Sequence, residues 1–153
     1  MIRKILKTNE NWGQLIARLT LGLVLFPHGA QKMLGLFGGY GYTATMDALT
    51  NQMQLPSIIA FLVIIIEFFG AIFLILGFAT RVWSLAILFL FMGIIFTAQF
   101  EHGFFMNWFG AQKGEGYEYS LLIIGLAITG VINGAGKLSV DNQILKILKQ
   151  QIR

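Results

Sequence analysis

Four strongly apolar stretches make up most of this 153-residue chain, and each is close to the length that a helix needs to cross a lipid bilayer. They cover residues 12–36, 56–78, 81–100 and 117–134. The composition agrees, because 56% of the residues are hydrophobic and 12% are charged, about half the charged fraction of a soluble domain. We therefore predict an all-α fold, an integral membrane four-helix bundle that forms one domain over residues 1–153.

The links and the basic residues predict the topology. The link between the second and third stretches, residues 77–81, is so short that it forces an antiparallel hairpin. The opposite loops hold only Lys113, plus Lys32 at a helix end, and the excess of positive charge in the tails and the short link places both termini in the cytoplasm. The basic residues on that inner side are Arg3, Lys4, Lys7, Arg81, Lys137, Lys146, Lys149 and Arg153.

Two segments outside the spans have patterns of their own. The aromatic residues of the outer loop 101–116 are too dense for a solvated loop, so we expect it to lie on the bilayer surface or to cover the mouth of the bundle. Residues 139–153 predict a cytoplasmic amphipathic helix on the inner leaflet, with a frayed tail as the alternative. Its apolar face would hold Ile144, Leu145, Leu148 and Ile152, beside Lys146 and Lys149.

Ionisable side chains within the apolar stretches are the best guide to function. A charge at the centre of a bilayer costs roughly 2.5–3.5 kcal/mol on insertion scales, so such residues usually face the protein interior and mark a functional site. Arg18 lies in the inner half of the first stretch, and Glu67 lies near the middle of the second. A long arginine side chain could close the offset between them, which predicts a buried Arg18–Glu67 ion pair. The alternative is that both residues only fix the register of the helices.

A second polar group predicts a pocket that opens outward under the aromatic loop. A quinone head group needs a hydrogen-bond donor at each carbonyl and a group that exchanges protons. Lys32, His28 or His102 could donate, and Glu118 could carry protons, so the predicted catalytic residues are Lys32, Glu118 and His28. Lys32 could instead extend to the lipid head groups, and Glu118 could simply favour a helix N-terminus. The predicted quinone-binding residues are His28, Lys32, Gln99, His102, Trp108 and Glu118.

Several other chemistries find no support in the residues. The chain has no cysteine, which excludes disulfides, thiolate metal sites and a dithiol relay within this chain. No His-x-x-His or Glu-x-x-His pair suggests a metal site, and the two histidines, His28 and His102, are weak grounds for haem. No cluster of basic and aromatic residues suits nucleic acid. The expected partners are the lipid bilayer, a quinone and a redox enzyme subunit.

Short motifs along nearly the whole chain resemble those of the DoxX family of small bacterial membrane proteins. The resemblance implies a four-helix membrane bundle in the bacterial cytoplasmic membrane. It also implies an association with quinone-dependent sulfur oxidation or with complexes that handle thiol and oxidative stress. The motifs are Arg18 to Lys32 with its ending Phe26-Pro-His-Gly-Ala-Gln-Lys32, Glu67-Phe-Phe-Gly70, Gly77-x-x-Thr-Arg81, His102-Gly-Phe-Phe-Met-Asn-Trp108, Gly116-Tyr-Glu-Tyr119 and Gly134-Ala-Gly-Lys-Leu-Ser-Val-Asp141.

These observations lead to one function hypothesis and two alternatives. The leading hypothesis is a membrane oxidoreductase component of the DoxX type, which binds a quinone or a small redox partner in the outer pocket and receives electrons from a reduced substrate or a partner subunit. Whether the chain is itself an enzyme stays open. The first alternative is a non-catalytic scaffold or assembly factor for redox or stress-defence enzymes. The second is a small transporter, for which four spans make a narrow pore unless the chain forms a homo-oligomer.

Overall fold

The computed structural model describes residues 6–150, and every regular element in that range is helical. The all-α prediction is therefore confirmed. Arg3, Lys4, Ile152 and Arg153, which entered the topology and amphipathic-helix predictions, lie outside the described residues. The elements are α1 (Trp12–Leu34), α2 (Gly41–Asp47), α3 (Ser57–Leu76), α4 (Thr80–His102), α5 (Glu118–Asn133) and α6 (Val140–Gln150).

Two of these helices are long and apolar enough to cross a membrane, by length and composition. They are α3, with 20 residues, and α4, with 23. The helix α5 is apolar but has only 16 residues, and the 23 residues of α1 include Arg18 and Lys32. Large apolar side chains such as Phe89, Phe96 and Leu122 are exposed. A surface this apolar is typical of a protein that faces lipid or a partner.

The core forms where α1, α3, α4 and α5 meet, and close helix contact depends on glycine. A Cβ atom on Gly29 of α1 would lie 2.5 Å from the Cα atom of Phe68 and 2.6 Å from the carbonyl oxygen of Glu67. No other residue leaves room for α3 at this point, so Gly29 fixes where the two helices touch. The buried apolar residues around this contact include Leu21, Leu25, Leu74, Ile87, Phe91 and Ile123.

Between residues 6 and 150, three stretches of π-helix interrupt the regular hydrogen bonding of the helices. They are Ala48–Gln52 directly after α2, Ile66–Gly70 within α3 and Ile95–Gln99 within α4. The sequence analysis did not predict them. A π-turn accommodates one extra residue and so rotates the subsequent side chains to a different face of the helix, and such turns often occur at functional sites.

Side chains cap two helix ends at one end of the molecule, which carries the links 77–79 and 134–139 and which we call the inner end. Arg81 donates from Nη1 to the carbonyl of Val131 (2.5 Å) and from Nη2 to that of Ile132 (2.8 Å), at the end of α5. The carboxylate of Asp141 accepts the backbone N–H groups of Ala79 (2.7 Å) and Thr80 (3.0 Å), at the start of α4. Burial raises the pKa of Asp141, and the two backbone hydrogen bonds oppose that rise.

Arg18 is the central residue of the inner end, and only 2% of its surface is exposed. Its Nη1 atom donates to the last carbonyls of α3, where helix termination leaves acceptors without an intrahelical partner. Gly77 is required beside it, because a Cβ there would lie 2.9 Å from the guanidinium carbon and because its φ of +69° favours glycine. The acceptors are the carbonyls of Leu74 (2.5 Å), Ile75 (2.6 Å), Ala135 (2.9 Å), Lys137 (3.3 Å) and Leu138 (3.2 Å).

The predicted Arg18–Glu67 ion pair is therefore wrong. Glu67 lies two helical turns before Leu74, which is about 10 Å along the axis of α3. The free carbonyls at the end of α3 are nearer to the guanidinium than the carboxylate is, and they occupy its donors.

The Arg18→Gln variant tests this role. We expect it to lower the free energy of unfolding by about 3 kcal/mol or more, because buried carbonyls lose a charged donor and no water can replace it. The measurement is an unfolding titration of the purified protein in mild detergent. Arg81→Gln is the matched control and should cost less, because Arg81 serves fewer carbonyls and is only half-buried. A loss below about 0.5 kcal/mol for Arg18→Gln, the range of ordinary surface substitutions, would contradict the assignment.

Candidate functional site

The most buried ion pair among the described residues joins α1 to α3. The Nζ atom of Lys32 lies 2.5 Å from Oε2 of Glu67. Glu67 is 3% exposed, whereas 28% of the Lys32 side chain is exposed. Gly29 brings the two backbones together, and Lys32 lies one helical turn after it on the same face. The π-turn Ile66–Gly70 carries Glu67.

This ion pair borders a cavity of about 460 Å³ that is otherwise almost entirely apolar. The walls come from α3, from α4 and from the segment directly after α2. Among the lining residues, Thr97 is the one polar side chain besides the pair, and its hydroxyl already donates to the carbonyl of Gly93 at 2.8 Å. The lining residues are Lys32, Leu49, Met53, Leu55, Ile59, Leu62, Val63, Ile66, Glu67, Ala86, Phe89, Leu90, Gly93, Ile94, Thr97 and Ala98.

All three π-turns contribute to the wall of this cavity. The turn after α2 supplies Leu49, the turn in α3 supplies Ile66 and Glu67, and the turn in α4 supplies Thr97 and Ala98. Each π-turn gives up regular helical bonding, which has a cost in stability. Because π-turns are frequent at functional sites, the presence of all three in the wall of one cavity favours a binding site there.

A second, smaller cavity of about 260 Å³ lies on the other side of Lys32. It shares Lys32 and Leu49 with the first, and the loop before α2 supplies Gly38, Gly39 and Tyr40. Lys32 thus separates an apolar cavity from a more polar one that the loop residues line. The ammonium group of Lys32 is thus accessible from both cavities.

The six residues of the predicted outer pocket do not all line either of these two cavities. Lys32 lines the apolar cavity, but His28, Gln99, His102, Trp108 and Glu118 are not among its lining residues. These five residues therefore lie outside the cavity of Lys32, and the outward pocket under the aromatic loop stays a prediction.

Glu118 and Gln99 make local contacts instead. The carboxylate of Glu118 accepts the backbone N–H of Met106 (2.9 Å) and the indole N–H of Trp108 (3.2 Å), so it holds the aromatic loop against the start of α5. The side-chain oxygen of Gln99 accepts the hydroxyl of Ser120 at 2.7 Å, which joins α4 to α5. Trp108 and Phe109 at the tip of the loop remain largely exposed.

The two histidines also lie apart from the ion pair's cavity. The Nε2 atom of His102 is 3.6 Å from Oε1 of Glu101. The ring of His28 packs against Tyr119, with 6.1 Å between the ring centres. The hydroxyl of Tyr119 is buried and has no hydrogen-bond partner among the described residues, and it lies within electrostatic range of Glu67. Over residues 6–150, no group of three or more histidine, aspartate or glutamate side chains is arranged to hold a metal ion.

The sequence analysis named Lys32 and Glu67 but missed their pairing and the apolar cavity. A signal for the pairing was present, because Gly29 and Lys32 share a stripe of α1 and the Glu67–Gly70 pair marks a close-contact face of α3. No signal identified Gly93 and Thr97 as lining residues, and the position of Thr97 depends on the π-turn Ile95–Gln99 in α4.

The chain is similar to one protein family and to two bacterial proteins. The model of the DoxX family matches residues 13–99. The chain is 28% identical over 120 residues to "Putative oxidoreductase CatD" of Bacillus subtilis (strain 168), which covers 77% of this chain and 79% of that protein. It is 30% identical over 132 residues to "Inner membrane protein YphA" of Escherichia coli (strain K12), which covers 84% of this chain and 88% of that protein. No solved structure matches the chain.

A double-mutant cycle tests the Lys32–Glu67 pair. We expect Lys32→Met to lower the free energy of unfolding by about 3 kcal/mol, because it leaves the Glu67 carboxylate buried and unpaired. The double variant Lys32→Met, Glu67→Gln should recover most of that loss, since no unpaired charge remains. The measurement is an unfolding titration in mild detergent. Losses that simply add, with a coupling below about 0.5 kcal/mol, would contradict the pair.

Proposed function

The chain belongs to the DoxX family of membrane proteins, and on that premise we propose that it is a membrane oxidoreductase component that binds a quinone, or a similar flat redox molecule, in the cavity beside Lys32 and Glu67. One observation carries this proposal: a buried ion pair lies in the wall of an apolar cavity whose other walls are helices with exposed apolar faces. A hydrophobic molecule dissolved in the bilayer would meet this cavity from the side. It would find a single charged donor inside.

The residues of the cavity fit the chemistry of a quinone head group. A bound quinone would accept electrons and protons together. The ammonium group of Lys32 is a donor for a carbonyl oxygen, and a hydrogen bond from a charged donor is among the stronger ones in proteins. Glu67 holds that ammonium in place and offers a carboxylate for proton exchange. The apolar side chains of α3 and α4 exclude water and pack against a flat ring.

Protons and electrons would arrive by different routes. Lys32 also borders the smaller cavity, which is lined by Gln31, Tyr40 and Thr45 among others and is the more polar path to Lys32. Because the chain has no cysteine for a dithiol relay, we propose that the electrons come from a reduced small molecule or from a partner subunit. The printed name of the Bacillus subtilis relative, an oxidoreductase, supports this class of reaction.

The proposal includes the arrangement in the membrane. We propose that α1, α3, α4 and α5 form an antiparallel four-helix bundle in the bacterial inner membrane, with α6 as an amphipathic helix on the cytoplasmic surface and both termini in the cytoplasm. The short link between Leu76 and Thr80 supports the antiparallel hairpin of α3 and α4. Lys7, Arg81 and Lys146 all lie at the inner end, in agreement with the positive-inside rule. The printed name of the Escherichia coli relative, an inner membrane protein, supports the location.

Filling the cavity tests the proposal without touching the ion pair. Gly93 lines the cavity and has open space where a Cβ would stand, so Gly93→Leu should fold and occupy the site. Gly125 of α5 also has open space around its Cβ position but does not line the cavity, so Gly125→Leu is the matched control. We expect the quinone extracted from purified protein to fall about tenfold in Gly93→Leu, the effect of losing roughly 1.4 kcal/mol of binding, and to stay unchanged in the control.

Charge variants separate quinone binding from a passive scaffold. Lys32→Gln and Glu67→Gln should both lower the quinone content, whereas Glu118→Gln should not, since Glu118 holds the aromatic loop and does not line the cavity. Quinone content that stays at the wild-type level in Gly93→Leu, Lys32→Gln and Glu67→Gln would contradict the proposal and favour a scaffold. Chromatography of the extracted lipids gives the measurement.

A further inference from the structure

A basic cavity of about 490 Å³ lies at the inner end of the molecule and shares no lining residue with the cavity of Lys32 and Glu67. One wall is the segment that precedes α1, and the other is one face of α6. The residues that line it are Lys7, Thr8, Glu10, Asn142, Leu145, Lys146 and Lys149.

Both walls are fixed to the rest of the protein by hydrogen bonds. The carbonyl of Lys7 accepts a bond from Nε of Arg81 (2.8 Å), and the hydroxyl of Thr8 accepts the backbone N–H of Gly136 (2.7 Å). The helix α6 is held by Asp141, whose carboxylate caps α4. The cavity is therefore a preformed feature of the inner end and not a gap beside a frayed tail.

The cavity carries an excess of positive charge. Lys7, Lys146 and Lys149 contribute three positive charges and Glu10 one negative charge, which leaves a net charge of +2. The hydrogen bond from Asn142 and the charge of Lys146 lower the pKa of Glu10, so this carboxylate is ionised at neutral pH. An anion that enters the cavity would thus be attracted by two unbalanced lysine charges.

The position of the cavity on α6 indicates the depth of its ligand. Asn142, Lys146 and Lys149 share one face of the helix, and Leu145 stands at the edge of that face beside the half-buried apolar side chains of Ile144 and Leu148. Asp141 lies on the same side of the helix as Ile144 and Leu148 and is buried, so that side is turned towards the protein and the lysine face is turned away from it. On the cytoplasmic membrane surface proposed above for α6, the lysine face lies at the level of the lipid phosphate groups.

We propose that this cavity binds the phosphodiester head group of an anionic phospholipid of the inner leaflet. Lys7 and Lys149 would contact the phosphate together with Lys146, whose Nζ atom also lies 3.6 Å from Oε1 of Glu10. Asn142 and Thr8 would supply polar contacts, and Leu145 would face the upper part of an acyl chain. Basic pockets on the cytoplasmic side of membrane helices are a recurrent means of binding anionic lipids. Since the cavity joins the segment before α1 to α6, a bound head group would tie these two segments together.

The test uses the full chain in nanodiscs of phosphatidylglycerol and phosphatidylcholine, with retained lipid counted by native mass spectrometry after release into detergent. We expect the triple variant Lys7→Gln, Lys146→Gln, Lys149→Gln to retain about tenfold less phosphatidylglycerol than the wild type, because each lysine near the lipid surface adds to the attraction. Lys113→Gln, on the opposite loop, is the matched control and should retain the wild-type amount.

A second variant separates binding from a purely structural role of the charges. Glu10→Gln keeps an acceptor for Asn142 but raises the net charge of the cavity to +3, so retention of phosphatidylglycerol should increase. Equal retention in the wild type and the triple variant would overturn the proposal. So would displacement of the lipid by millimolar inorganic phosphate, which would indicate a site for the free anion, or equal retention of phosphatidylcholine.

Discussion

The backbone carbonyls at the inner end impose the constraint on which the rest of the structure depends. A backbone group that is buried within the protein at a helix end has no water to bind, so the protein itself must supply its partner. Arg18 does this for the end of α3 and for the segment after α5, through five carbonyls. Arg81 completes the end of α5, and Asp141 completes the start of α4. With those ends fixed, the spacing of the helices is set.

The helices, held at the inner end, depart from regular α-helical geometry in the middle of the protein. Three π-turns meet around the cavity, and each replaces regular helical hydrogen bonds with a local irregularity. Glu67 lies within one of them and pairs with Lys32. The π-turns and the Lys32–Glu67 pair thus lie together at one cavity, whereas the buried charges of Arg18 and Asp141 complete helix ends at the inner end.

The sequence was sufficient for the helices and insufficient for their contacts. The length of each apolar run located α1, α3, α4 and α5 within two residues at either end, because lipid-facing helices need apolar side chains on all sides. The partner of Glu67 was not predictable from depth. A residue count gives depth only to within a helical turn or two, and the actual register is set by the contact of Gly29 with α3, which brings Lys32 and not Arg18 to the carboxylate of Glu67.

A structural role alone does not explain the Lys32–Glu67 pair. If its purpose were to fix the register of α1 against α3, the close contacts at Gly22 and Gly29 would already achieve it, since a Cβ at either position meets the backbone of α3. A buried ion pair is moreover seldom better for stability than apolar side chains of similar volume, because both charges lose their hydration. A purely structural pair would also be enclosed, whereas Lys32 remains accessible between two cavities. The arrangement is understandable when a ligand uses the ammonium group that the helices have placed there.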